Sequence, residues 1–348
     1  MSHFLEQPPY AQRDDAAFLA EMNTLSAHHL KGCEAYARIW PDTKPAERIE
    51  DLPWLHVGVF KHLDLRTDVE GSKHLRTLLS SATSSGVSSK IALDTRSSEY
   101  QSQSTLAVLK DFIGDEQQPL CILDSAAALR GGRQVSARIA AAMSLKPLAS
   151  QLYFLLEDSN DPSTVKWSEL LEAIDGHDAF MVYGFTWMLW LAWAKQTFPE
   201  EVQHALAGKR VTFVHSGGWK KLEAEKVRPD AFNLKLKEHL DPASQVMDFY
   251  GLVEQVGIIF PLCPCGYRIA PAWADVLVRD PVSGACLPEG VGQLQLMNAI
   301  SWGAPYHNVL TEDLGRLIPG GCSCGRSGTV FELIGRIPKS EVRGCANV

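Results

Sequence analysis

The segment Asp248-Phe249-Tyr250-Gly251-Leu252-Val253-Glu254-Gln255 closes an apolar run on a glycine and sets a carboxylate just beyond it. A carboxylate there is suited to hold Mg²⁺ against a phosphate, because that hard cation takes oxygen ligands and keeps substrate phosphates among them. The plain alternative is a solvated surface glutamate. Three further segments offer complementary groups. Thr83-Ser84-Ser85-Gly86-Val87-Ser88-Ser89-Lys90 supplies backbone N–H groups, hydroxyls and an ammonium to phosphate oxygens. It lacks the G-x-x-x-x-G-K spacing, and a surface loop has the same composition. Val211 to His215 is an apolar strand running into Ser216-Gly217-Gly218. In open α/β sheets ligands sit beyond the carboxyl ends of strands, and paired glycines let a flat ring approach the backbone. A plain strand-to-helix turn reads the same way. In Thr311-Glu312-Asp313-Leu314-Gly315 a turn carboxylate can accept both hydroxyls of a ribose, and Arg336 after Gly335 can pair with a phosphate. A capped turn and a surface arginine are the bland readings of that pair.

Of the eight cysteines, four form two Cys-x-Cys-Gly pairs, Cys263/Cys265 before Gly266 and Cys322/Cys324 before Gly325. Four thiolates in two close pairs are what a closed tetrahedral zinc site requires, and a following glycine permits a tight turn around the metal. One intervening residue is shorter than the usual pair spacing, so buried free thiols and a redox-labile pair remain alternatives. The run Tyr183 to Trp193 is dense in aromatics, which at helical spacing reads as core before pocket. His215 and His307 are further polar candidates, although single histidines are usually structural.

The elements that must position these groups follow from patterning. Leu78 onward alternates short apolar strands (Lys90 to Leu93, Leu120 to Leu123, Gln151 to Leu156, Ala179 to Gly184, Arg210 to His215) with helical stretches (Ser98 to Ile113, Val135 to Met143, Trp187 to Phe198). That alternation predicts an α/β sheet covered on both faces. Residues 1–75 read as mainly helical, with Phe18, Leu19, Met22 and Leu25 at helical spacing. Residues 76–260 form the α/β core, 261–335 a β-rich lobe bearing the Cys-x-Cys pairs, and 336–348 a tail carrying Cys345. The chain is 45% apolar and 21% charged, with 33 Lys and Arg against 41 Asp and Glu, a net charge of −8. That balance argues against nucleic-acid binding, which needs a concentrated cationic face. Met1 to Tyr10 lacks the basic and apolar regions of a secretory signal, and Ala179 to Ala194 is too short to span a bilayer. A cytoplasmic protein with no membrane span is the expectation.

The order Ser/Gly loop, Ser-Gly-Gly, Tyr-Gly-x-x-Glu, Thr-x-Asp-Leu-Gly and Gly-Arg resembles the core motifs of the adenylate-forming superfamily of acyl-CoA ligases, peptide-synthetase adenylation domains and luciferases. Phe60-Lys61, the Ser-Gly-Gly-Trp-Lys-Lys stretch, Cys-x-Cys-Gly and the ending Gly335-Arg336-Ile337-Pro338-Lys339-Ser340-Glu341-Val342-Arg343-Gly344-Cys345 narrow it. They resemble the LuxE-type acyl-protein synthetase of bacterial bioluminescence, over roughly residues 50 to 345. The resemblance implies the large domain of that superfamily: two packed α/β subdomains plus a small β-rich lobe, without the mobile C-terminal domain. It implies ATP-dependent activation of a carboxylic acid as acyl-adenylate with release of pyrophosphate, then acyl transfer to a thiol. Ser84, Ser85, Gly86, Ser88 and Lys90 would grip the ATP phosphates, although the usual loop reads close to Ser-Gly-Thr-Thr-Gly and this one has Val87 and no second glycine. Ser216, Gly217 and Gly218 would lie against adenine, Tyr250 would stack near it, and Glu254 would hold Mg²⁺. Asp313 would bind the ribose hydroxyls, with Arg336 near the ribose or phosphate. Tyr183, Gly184, Phe185, Trp187 and His215 would wall the acyl or aryl pocket. Cys345 matches the cysteine that carries the acyl group as a thioester in the luminescence enzyme; an inert terminal thiol is the alternative. ATP and Mg²⁺ are the implied cofactors; a structural zinc is a separate reading that rests on the four paired cysteines and not on the resemblance. The implied partners are a carboxylic acid and an acyl carrier protein, CoA, or a partner reductase or transferase. A truncated acyl- or aryl-CoA ligase and an inactive zinc-stabilised scaffold are the competing readings.

Overall fold

The computed structural model describes residues 3–80, 88–130 and 134–337. The chain divides into a terminal unit, residues 1–107 with 252–348, and a central unit, residues 108–251.

In the central unit five parallel strands form the sheet: Gln118–Ile122, Ala149–Phe154, Ala179–Phe185, Arg210–Ser216 and Gln245–Tyr250. Numbered along the chain they lie in the order 2-1-3-4-5, so the winding reverses between Gln118–Ile122 and Ala179–Phe185. The inner strands are near-continuous apolar runs, as strands covered on both faces must be; Phe180, Met181, Val182, Val211, Phe213 and Val214 are all buried. Trp193 packs edge-on against Phe213, with centroids 5.3 Å apart, and Trp190 stacks on Phe232 at 6.0 Å. The aromatic run thus lies largely in the core. Its helix departs from expectation. It is α-helical only over Thr186–Leu189, opens into a π turn over Trp190–Ala194, and ends there instead of at Phe198. The Lys195 N–H donates to Trp190 O at 2.9 Å, a five-residue step. Aromatic side chains are middling helix formers, and Pro199 bars continuation.

The terminal unit is built on an antiparallel sheet of Ala274–Arg279, Gly292–Asn298, Asn308–Leu317 and Val330–Arg336. Arg268–Ile269 pairs with Val330–Arg336, and Leu55–His56 runs parallel to Asn308–Leu317. A second hairpin joins His74–Leu79 to Lys90–Asp94. Its ends close where the Ser80 N–H donates to Ser89 O at 3.1 Å and the Ser89 N–H donates to Ser80 Oγ at 2.8 Å. Helix Asp15–Gly32 is capped by Asp14, whose Oδ1 accepts from the Ala17 N–H, and buries Phe18, Met22 and Leu25 as their spacing predicts. His29 of the same helix and His307 are fully buried side by side. His307 Nε2 meets Ser26 Oγ at 3.0 Å, and burial pushes the His307 pKa down to about 3. His307 is therefore a core residue. Among the described residues no helix is long and apolar enough to cross a membrane.

Candidate active site

In the terminal unit, Glu254 lies in the short turn Val253–Gln255 and is only 6% exposed. The adjacent Gln255 fixes it there. Gln255 Nε2 donates to Tyr306 O at 2.6 Å, and its Oε1 accepts from Asn298 Nδ2 at 2.9 Å. Asn298 Oδ1 in turn accepts from the Ile300 N–H and from Ser301 Oγ. Gln101 Nε2 donates to Tyr306 Oη at 3.0 Å. Every member of this chain is buried, which makes it rigid: each donor or acceptor left unpaired there would lose its solvation without return.

Burial raises the Glu254 pKa above its usual 4.5. The Ser89 hydroxyl, Lys61 and Arg336 act in the opposite direction, favouring the carboxylate. Ser89 Oγ is buried and makes no hydrogen bond among the described residues. A buried carboxylate that neighbouring cations only partly compensate fits a metal ligand. Asp313 and Arg336 are register partners on adjacent strands. Arg336 Nε donates to Asp313 Oδ1 at 3.3 Å, with the Asp313 side chain 10% exposed and the guanidinium 66% exposed. The Thr311 hydroxyl accepts from the Asp313 N–H at 3.0 Å and fixes the backbone of the carboxylate. Lys90 begins its strand exposed and Ser88 is half-buried. Ser84, Ser85, Gly86 and Cys345 lie outside the described residues.

In the central unit, His215 and Ser216 end the strand Arg210–Ser216, and Gly217 turns the chain at φ +78°, which an L side chain would resist. Thr186, a residue the motifs did not single out, braces this turn. Its hydroxyl donates toward Gly217 O at 2.7 Å and lies 3.2 Å from Ser216 O and 3.0 Å from His215 Nδ1. His215 Nδ1 is 4.0 Å from Asp248 Oδ1 on the neighbouring strand. Tyr183 is buried one strand over; burial raises its pKa, and the Ser216 hydroxyl and the Asp124 and Arg138 charges bear on it. Arg138 Nε pairs with the buried Asp124 Oδ2 at 2.6 Å. Asp124 and Tyr183 flank the reversal in strand order, where open α/β sheets take their ligands. Gly184, Phe185 and Tyr250 lie at the same carboxyl ends of the strands, and Trp187 follows in the next helix. Asp124 and Arg138 carried no motif signal.

Cys263 and Cys322 bring their Sγ atoms to 3.5 Å, and the Sγ atoms of Cys263, Cys322 and Cys324 all lie within 4.8 Å of one another. Cys265 Sγ is 3.2 Å from Ser323 Oγ. Both predicted Cys-x-Cys pairs are thus brought together within the terminal unit.

This architecture is that of the adenylate-forming ligases. A 2-hydroxyisobutyryl-CoA ligase, solved in an open conformation with its acyl-AMP and CoA, superposes with a TM-score of 0.68 at 13% identity, over 93% of this chain and 70% of that one. The inhibitor-bound N-terminal domain of FACL13 from Mycobacterium tuberculosis gives 0.50 at 15% identity, over 78% and 63%. No curated protein matches the chain significantly. The family model described as acyl-protein synthetase, LuxE, matches residues 6–348, and the chain belongs to that family. It is accordingly a ligase that forms an acyl-adenylate with ATP and passes the acyl group to a thiol.

Proposed function

We propose that Glu254 holds Mg²⁺ on the ATP phosphates and that Asp313 and Arg336 seat the ribose and α-phosphate. The observation that carries this reading is the burial of Glu254, whose carboxylate form the Lys61 and Arg336 charges favour, with Arg336 joined to Asp313, all in one unit. Mg²⁺ would neutralise phosphate charge. The chain's own residues do the rest. Arg336 stabilises charge that grows on the α-phosphate, and the Gln255 network keeps the carboxylate from moving. In the central unit, Ser216, Gly217, Gly218 and Tyr250 receive adenine, and Tyr183, Gly184, Phe185, Trp187 and His215 face the acid. Lys90 and Ser88 assist the phosphates with Ser84, Ser85 and Gly86. A carboxylate oxygen of the acid attacks the α-phosphorus, the bond to pyrophosphate breaks, and acyl-AMP forms. A thiolate then attacks the acyl carbon and AMP leaves. We assign Cys345 as that thiol, with a carrier-protein or CoA thiol as the further acceptor. Mass spectrometry of protein incubated with ATP and acid tests the assignment. A hydroxylamine-labile acyl adduct that disappears in Cys345→Ser supports it; free acyl-CoA with no adduct overturns it.

A further inference from the structure

We propose that Cys263, Cys265, Cys322 and Cys324 form a tetrathiolate zinc site that staples the turn at residues 263–266 to the loop between strands Asn308–Leu317 and Val330–Arg336. The two turns have matching backbones. The Gly266 N–H donates to Cys263 O at 2.9 Å and the Gly325 N–H donates to Cys322 O at 3.4 Å. The closing glycines stand at φ +83° and φ +82°. Each Cys-x-Cys-Gly therefore curls into the same turn, and the two face each other. Zinc–sulfur bonds of about 2.3 Å in a tetrahedron separate the sulfurs by roughly 3.8 Å. The observed 3.5 Å between Cys263 and Cys322, and the 4.8 Å limit on the trio, bracket that spacing. Three ligands are already gathered around one point. Cys265 also interacts with Cys263 and Cys322, and a side-chain rotation away from Ser323 Oγ makes it the fourth. Arg326, close enough to bond with Cys324, offsets part of the charge such a centre carries.

On binding, four thiols give up four protons to solvent, the aqueous zinc ion loses its waters, and four Zn–S bonds form; nothing is oxidised or reduced. The staple sits at the closed end of the hairpin whose strands carry Asp313 and Arg336. Its work is to hold that hairpin, and it takes no part in the chemistry.

Metal analysis of the full chain, purified without a polyhistidine tag, tests this directly. One zinc per chain is expected, with cobalt substitution giving the intense sulfur-to-metal charge-transfer band of a tetrahedral thiolate centre. Cys322→Ser should lose the metal, whereas Cys286→Ser, outside the cluster, should keep it. Cys265→Ser should weaken zinc binding by about 10-fold or more and reduce the cobalt band. Metal loss should lower the melting temperature, since a ligand that binds only the folded state stabilises it. Wild-type protein that takes up no zinc or cobalt while all four thiols are free would overturn the site. A Cys263–Cys322 disulfide in protein from reducing cells would do the same. An unchanged Cys265→Ser cobalt spectrum would overturn the four-sulfur assignment. None of these readouts depends on adenylation.

Discussion

Replacing Glu254 by glutamine keeps the shape of the side chain and removes one charge, and the structure sets two opposite consequences. The first is catalytic. At 6% exposure the carboxylate works in a poorly screened environment, where a pair of unit charges about 4 Å apart is worth about 4 kcal/mol at an effective dielectric constant of about 20. If the loss matches that of one preorganised oxyanion-hole donor, about 2.7–4 kcal/mol, the rate falls about 100- to 1,000-fold. The second concerns stability. Burial raises the folded pKa of Glu254 above its usual 4.5. The folded chain then holds more protons than the unfolded one just above pH 4.5, so this group's contribution to stability falls as pH rises through that window. At neutral pH the apo Glu254→Gln protein should melt no lower than wild type, and any advantage should vanish below pH 4.5. Mg²⁺ needs the ionised form, so wild-type activity should fall on the acid side at a higher pH than an exposed glutamate would give. Carboxylate-dependent exchange of pyrophosphate into ATP reads the first effect and calorimetry the second. A variant that exchanges at the wild-type rate refutes the metal-ligand role. One that loses activity only in proportion to lost stability makes Glu254 a packing residue.

Gln255→Leu strips a donor from Tyr306 O and an acceptor from Asn298 Nδ2, and should cost on the order of 2–4 kcal/mol of stability, seen as a lowered melting temperature. Activity in the surviving fold should fall too, because Glu254 loses its anchor. Thr186→Val removes the hydroxyl that braces the Ser216–Gly217 turn. It should raise the KM for ATP by about 5- to 30-fold with a smaller change in kcat, measured by the same exchange reaction. Cys345→Ser should leave exchange at the wild-type rate while abolishing a covalent acyl adduct, read by intact-protein mass.

Much of this was legible because the deciding signals were local. The strand starting at Lys90 and those starting at Ala179 and Arg210 announce themselves as apolar runs between breakers, and the fold confirms each within a residue or two. Glu254, Asp313 and Arg336 carried weight through their order along the chain; within the terminal unit Arg336 pairs with Asp313, and its charge favours the Glu254 carboxylate. What escaped were residues whose role is set by three-dimensional partners. Thr186 looks like any helix-start threonine until its hydroxyl meets the Ser216–Gly217 carbonyls. Gln255 and Asn298, 43 positions apart, acquire a role only as mutual hydrogen-bond partners. The Asp124–Arg138 pair follows from the strand reversal, a property of winding that no short motif encodes. The π turn at Trp190–Ala194, whose Trp190 and Trp193 pack on Phe232 and Phe213, escaped because its periodicity does not distinguish it from an α turn.

The most direct test of acyl-adenylate formation is ATP–pyrophosphate exchange by the full chain across fatty and aromatic acids side by side, with Mg²⁺ present and withheld. The expected result is exchange that needs ATP, Mg²⁺ and one class of acid, and that collapses in Glu254→Gln. Absence of exchange with every acid in the panel would contradict it.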